Sequence, residues 1–442
     1  MAPDLAAAKV HLYETCKALR LKLDWSPPEH ALWIPGRLEV FGKHTDYAGG
    51  RTLVAALPRG FALIAGSGRP SAPRVTVADA TTGEIATLPA IGHQPAWAPY
   101  LDAVVRRLSR NFPGATLSAE IVFASDLPPA AGMSSSSALM VGLAAALVQI
   151  AEIESHEDWR RNISSALDAA AYYACIENGA TFRGLPGDLG VGTHGGSEDH
   201  AAILCATPSE LTAFGFVPLT LIARATVPSE WRFIVASSGV RAEKTRAARD
   251  AYNALSRDAS ALLQLWNAHE ATAASLGEAL ATHPLAAKRL IDLVEESSRT
   301  GSTREALTRR LTHFILEDRR VPEAVAAFGS TDASALAELA ASSQRDAEAL
   351  LQNQIPETVE LVAAARRLGA IGASAFGAGF GGSVWAVVER DAAPDFPTRW
   401  LAACRPACPP DAVAFDASPA PPLMRLEPRR LLRAKRIHGI DA

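Results

Sequence analysis

Residues 126–147, DLPPAAGMSSSSALMVGLAAAL, constrain the fold of this chain more than any other stretch. A strand ends there, Pro128 and Pro129 stiffen the approach, and Gly132 supplies a tight turn. The serines from Ser134 to Ser137 then cap a strongly apolar helix. The backbone N–H groups and positive dipole end of such a helix suit phosphate, and the hydroxyls add donors and a magnesium ligand. Ordinary serine N-capping is the plain alternative. One serine suffices for that, so four in a row favour anion binding.

The apolar helix needs a core, and the 442 residues supply one: 48% are hydrophobic and 20% charged, which excludes wholesale disorder. The length suggests roughly two or three domains. A formal net charge of -4 gives nucleic acid or an anionic membrane nothing to grip. No run approaches the roughly 18 apolar residues of a membrane span, and the N-terminus lacks the basic start and apolar stretch of a signal peptide. Five scattered cysteines fit reduced thiols better than a disulfide framework. A cytoplasmic protein, monomeric or weakly homo-oligomeric, is expected.

The coarse pattern is α+β, in two lobes divided at 1–225 and 226–442, the last strand returning to the first lobe. Strands are expected at Trp33-Ile34, 61–65, 74–78, 118–124, 201–206 (AAILCA), 219–225 and in WRFIVASS, with SVWAVVE at 383–389. Helices are expected from Ser134, over 157–175, and in an Ala-rich series from Lys244 to Leu368 with breaks near His283-Pro284 and Val321-Pro322. The Pro-rich stretch 406–422 reads either as an ordered connection into a last strand or as a surface tail.

Three further segments gather polar groups. PGRLEVFGKHTDYAGG (35–50) superficially suggests a Walker A loop, but five residues separate Gly36 from Gly42 and His44 stands where that loop needs Ser or Thr. A cluster of Arg37, Lys43, His44, Asp46 and Tyr47 remains. GAGFGGSV (377–384) matches the dinucleotide and kinase glycine patterns, yet a helix is expected before it and a strand after it, the reverse of the dinucleotide context. It is better read as a loop letting backbone approach a ligand. GTHGGSEDH (192–200) places Glu198 and Asp199 after two glycines, and a metal site from His194, Glu198 and His200 is one reading of it. Cys404 and Cys408 are a weaker metal pair.

Taken in order, these segments resemble the GHMP kinases, and within them the galactokinase branch. PGRLEVFGKHTDYAGG is similar to the sugar-binding signature, PPAAGMSSSSA to the phosphate loop, GASAFGAGFGGSV to the third motif, and RRLTHFILEDRRV (309–321) to a helix typical of galactokinases. The resemblance implies a two-lobed fold with ATP and sugar meeting in the cleft between lobes. It assigns the ATP phosphates to Gly132, Met133, Ser134, Ser135 and Ser136, with Gly377 and Gly379 closing over them. It assigns Mg²⁺ to Ser135 or Ser136 with Glu177. Asp199 inherits the role of catalytic aspartate and Arg37 faces it; His44 and Asp46 match sugar-hydroxyl ligands, with Gly196 and Tyr252 on the same side. Phosphoryl transfer needs positioning and charge neutralisation, so a carboxylate meeting the acceptor hydroxyl is coherent chemistry.

The chain also departs from the pattern. Lys43 stands where galactokinases carry a glutamate, exchanging an acceptor for a donor. An altered or anionic C6 region such as a uronic acid, or a structural pairing of Lys43 with a carboxylate such as Glu198, follows from that. Ser197-Glu198 replaces two apolar residues, and the long segment 178–194 separates Glu177 from Asp199. Tyr252 is offset from Val240-Arg241 by about three residues relative to the family tyrosine. Galactose leads as acceptor, with phosphorylation at C1; arabinose, galacturonate or an N-acetylhexosamine follow. A sugar sensor that binds ATP without turnover and a mevalonate-type kinase are the rival readings.

Overall fold

In the computed structural model, which describes residues 3–68, 74–240, 246–297, 302–405 and 407–428, the apolar stretches pair into two sheets. The strands are β1 (His30–Phe41), β2 (Arg51–Ser67), β3 (Val75–Asp79), β4 (Ile85–Leu88), β5 (Ala119–Ser125), β6 (Glu210–Gly215), β7 (Thr220–Thr226), β8 (Trp231–Ser237), β9 (Gly372–Phe376), β10 (Ser383–Glu389), β11 (Val413–Asp416) and β12 (Met424–Leu426). The larger, eight-stranded sheet runs β12-β1-β2-β5-β3-β4, with β6 also on β2 and β7 on β6. Its pairs are antiparallel except β3 with β5. The smaller sheet runs β11-β8-β10-β9, all antiparallel.

The serine-led helix, Ser135–Ile150, is buried on every side from Ser137 to Val148. That is why its sequence is apolar all round rather than striped. It packs on β1 and β2 and against the helices Ala98–Asn111, Ala166–Asn178 and Glu198–Cys205. The helix Pro3–Lys22 covers the opposite face of that sheet, where Tyr13 and Cys16 join Ala31, Ala62, Ile64 and Val122 in a small core. No helix among the described residues is long and apolar enough to cross a membrane, and the five cysteines are free.

Several expectations need correction. AAILCA is not a strand: it forms the helix Glu198–Cys205, whose first turn carries two acids and whose Ala201, Ala202 and Ile203 are buried. A short apolar run does not distinguish the two states by periodicity. The helix expected over 157–175 is two, Glu157–Asn162 and Ala166–Asn178, the second capped by Ser165. Val321-Pro322 breaks nothing, because the helix Ser302–Gly329 runs through it. Pro322 lies on the exposed face, where the carbonyl its missing N–H leaves open can turn toward solvent, while Val321, Ala324 and Phe328 stay buried. The break at His283-Pro284 falls between Leu276–Ala281 and Ala286–Glu296, as expected. Strand β1 extends well past Trp33-Ile34 into what reads as a polar loop, with irregular register at Pro35/Arg37 and Glu39/Phe41. Strand β9, unread in the sequence, precedes the 377–382 glycines, which therefore join two strands. Arg241 and Lys244 lie outside the described residues, as does Pro406. The rest of the Pro-rich stretch contains β11 and leads into β12, which pairs with β1.

Candidate active site

One cavity of about 940 Å³ gathers most of the singled-out residues. Its anionic floor starts on β1. Arg37 Nε donates to Asp199 Oδ1 at 2.7 Å, Nη2 lies 2.6 Å from the same oxygen, and Nη1 donates to Gly132 O at 3.3 Å. The Arg37 backbone N–H binds Met133 O at 3.2 Å, so strand and serine turn are stitched together twice. Asp199 comes from the first turn of Glu198–Cys205, and its Oδ2 lies 3.1 Å from Ser137 Oγ, sharing that hydroxyl's one hydrogen with Glu177. Burial alone would push its carboxyl up; Arg37 outweighs that, helped by the Ser134 hydroxyl and His200, and holds it below the usual aspartate value.

Ser134 occupies the N-cap position with a left-handed φ of 61° and makes no side-chain bond to the helix. The serine run is therefore not spent on ordinary capping. Ser135 and Ser136 line the cavity, whereas Ser137 Oγ donates to Glu177 Oε2 at 2.8 Å. Glu177 is thereby tied directly to the serine helix. The long segment 178–194 leaves Glu177 facing the serine helix, because it loops out and returns: Val191 N–H binds Glu177 O, and Asn178 Nδ2 binds Gly195 O. Met133 is a core side chain whose carbonyl is taken by Arg37, and it is not among the residues that line the cavity.

The other end of the cavity is aromatic and acidic. His44, Tyr47 and Tyr252 form one wall, with ring centroids 5.3 to 6.3 Å apart. Both His44 nitrogens are engaged: Nδ1 with the Tyr47 hydroxyl at 3.0 Å and Nε2 with Ala378 O at 3.2 Å. Burial, with Arg310 beside it, drives its pKa down to about 3, so the ring is neutral. Asp46 Oδ2 accepts the Glu198 N–H at 3.2 Å, and burial raises its pKa to about 6. A Cβ on Gly196 would lie 2.3 Å from that oxygen, which makes glycine obligatory there. Gly377 (φ +80°) and Gly379 (φ +79°) close the roof; a Cβ on Gly377 would come within 2.7 Å of Gly132 O.

Lys43 departs from its expected place. Its amine donates to Ser343 Oγ at 2.6 Å and Ser374 Oγ at 3.0 Å and lies 3.9 Å from Glu317. Fully buried there, it neither lines the cavity nor pairs with Glu198, which removes the reason for a uronic acid acceptor. The His194–Glu198–His200 metal reading also fails: among the described residues no group of three His, Cys, Asp or Glu could hold a metal ion. His194 is tied by its backbone to Asn253 and Ser256, and His200 faces Glu177. The sequence reading missed Glu39 and the apolar slot of Phe61, Trp97, Tyr100 and Phe123. Glu39 was detectable, since it follows Arg37 at the two-residue period of a strand; the slot had no local signal.

Comparison with known proteins adds three segment matches. Residues 27–67 match the galactokinase galactose-binding signature, residues 99–180 the GHMP kinases N terminal domain, and residues 324–405 the GHMP kinases C terminal family. A galactokinase of Haemophilus influenzae (strain PittGG) is 26% identical over 376 residues, 82% of this chain and 86% of that protein. A galactokinase of Homo sapiens is 28% identical over 388 residues, 83% and 86% of the two. The fold is similar to that of Lactococcus lactis galactokinase complexed with galactose, with a TM-score of 0.76 at 18% identity over 94% of this chain and 99% of that one. An L. major mevalonate kinase in complex with R-mevalonate gives 0.52 at 16% identity, over 88% and 95%.

Proposed function

Because this chain belongs to the GHMP kinases, on their galactokinase-like branch, we propose that it transfers the γ-phosphate of ATP to the C1 hydroxyl of an aldose, with galactose the leading acceptor. The observation that carries this reading is the Arg37–Asp199 pair, bonded to both the serine turn and the serine helix in one cavity. Gly132, Ser134, Ser135 and Ser136, with the helix N-terminus behind them, cradle the phosphates, and Gly377 and Gly379 cover them. The slot at Trp97 and Phe123 takes the base. The lobes on either side of the cleft are 1–225 and 226–442, with the last strand, β12, returned to the first.

Glu177 and Ser135 or Ser136 offer hard oxygen donors that would hold a Mg²⁺ ion, which would supply positive charge to offset that of the phosphates. Asp199 is ionised and oriented by Arg37, so it aligns the acceptor hydroxyl and takes its proton late, in keeping with a loose transition state. Arg37 offsets negative charge on the transferring group. Asp46 and the backbone at Gly196 hold sugar hydroxyls, while His44 and Tyr252 supply the aromatic wall. A coupled ADP-release assay over galactose, arabinose, galacturonate and amino and N-acetylated hexoses tests the reading. Sugar-dependent ADP release, greatest with galactose and weak with galacturonate, is expected. ATP binding with no sugar-dependent release from any acceptor would leave a sensor in its place.

A further inference from the structure

Arg37 faces more carboxylates than one charge balances. Glu39 leaves β1 on the same face as Arg37; its Oε2 accepts the Gly377 N–H at 2.8 Å and lies 3.7 Å from Arg37 Nη1. Its Oε1 is buried and accepts no hydrogen bond. Glu198 approaches from the other side, with Oε1 3.0 Å from Arg37 Nε. The Nε hydrogen goes to Asp199, however, and Glu198 Oε1 is likewise buried without a donor. The two residues are 2% and 5% exposed, so water does not make up the deficit. Asp46 and Asp199 add two more carboxylates. The nearest ammonium, that of Lys43, is bound to Ser343 and Ser374 and shared with Glu317. Two donorless carboxylate oxygens against a single guanidinium carry a heavy desolvation cost unless a hydrogen is supplied.

We propose that Glu39 and Glu198 hold one proton between them, one acid and one carboxylate flanking the Arg37 guanidinium, which keeps Arg37 committed to Asp199 and spares the triphosphate a further negative charge beneath it. They are positioning residues, acting through Arg37. The electrostatics agree with the geometry. Burial pushes Glu39 up to about 7 against the pull of Arg37 and Lys43, and Glu198 rises well above the usual carboxylate value through burial and then Glu39. The charged groups facing the pair are Arg37 and Lys43 on one side and Asp46, Asp199 and Glu317 on the other. Once the pair loses its proton, Glu198 competes with Asp199 for the Nε hydrogen and the cleft floor repels ATP.

The kinetic consequence rests on the kinase reading; the proton does not, and the test separates them. In the full chain without ligand, labelled with ¹³C-carboxyl glutamate, infrared spectroscopy at pH 6 should reveal a protonated glutamate, since ordinary glutamates are ionised there. That band should vanish in both E39Q and E198Q, where one amide permanently replaces the acid. With the acceptor found by ADP release, wild-type kcat/KM for ATP should fall on the alkaline side. The same profile should be flat in either Gln variant. E198A should lower kcat about tenfold, with E198Q restoring most of it. Fully ionised glutamates at pH 6, a band indifferent to both substitutions, or E198Q as slow as E198A would each overturn the pair. If no acceptor is turned over, the kinase reading falls while the infrared band still decides the proton.

Discussion

Asp199 meets Arg37 through one oxygen and Ser137 through the other, so its second oxygen stands beside the serine helix, where the proposed acceptor hydroxyl would reach it. Replacing it with Asn keeps the size and removes the charge. D199N should lower kcat by about a hundredfold or more, the usual contribution of a positioned acid or base. Affinity for ATP, measured by calorimetry, should change little, because the proposed phosphate cradle is built of backbone and hydroxyl groups on other residues. Near-normal turnover would move the catalytic role elsewhere. Lys43 carries the opposite lesson at this scale. Its position beside His44 is legible in the sequence; its direction is not, because Glu317 and Ser343, which fix it, lie some 274 and 300 residues away.

Glu317 ties elements together rather than touching the cavity. From the helix Ser302–Gly329 it accepts the Gly42 N–H at 3.0 Å at the end of β1 and the Ser343 hydroxyl at 2.9 Å on the helix Ala333–Asp346, and it pairs with Arg320 at 2.8 Å. Burial opposes its charge, but Lys43, His313 and Arg320 prevail and hold its pKa at about 2, below the ordinary 4.5. A depressed carboxylate contributes stability above its unfolded value and loses it as pH falls through the folded one. E317Q should therefore cost about 3 kcal/mol at pH 7, the loss expected on breaking a buried ion pair. Urea titrations of both proteins should converge as pH drops from 4.5 toward 2. A pH-independent difference would mean that the pair is not what holds these elements. The same elements mark what the sequence disclosed. SVWAVVE reads as a strand because it is continuously apolar behind a glycine loop. Strand β1 reads as a loop because Arg37 and Glu39 serve the cleft, where a buried strand would carry apolar residues. The small residues of β9, Gly372–Phe376, give no strand signal at all.

At the scale of the molecule, the cavity has no single owner. Its floor belongs to β1 and the serine turn of the larger sheet; its roof is the turn between β9 and β10 of the smaller one; Tyr252 comes from the helix Arg246–His269. Direct bonds already join roof to floor, from Gly377 N–H to Glu39 and from Ser383 Oγ to Ala131 O at 2.6 Å. A ligand that binds only this assembled arrangement stabilises it by about 2.7 kcal/mol at a hundred times its dissociation constant. For one cooperative transition over 442 residues, with about 2.1 cal/mol/K of unfolding entropy per residue, that raises Tm by about 3 °C. Scanning fluorimetry with ATP and MgCl2 should record this shift on a single transition. It should be smaller in Gly377→Ala, whose new methyl would sit 2.7 Å from Gly132 O and lift the roof off the floor. Two separate transitions, only one of them moved by the nucleotide, would mean that the two sheets do not share the site.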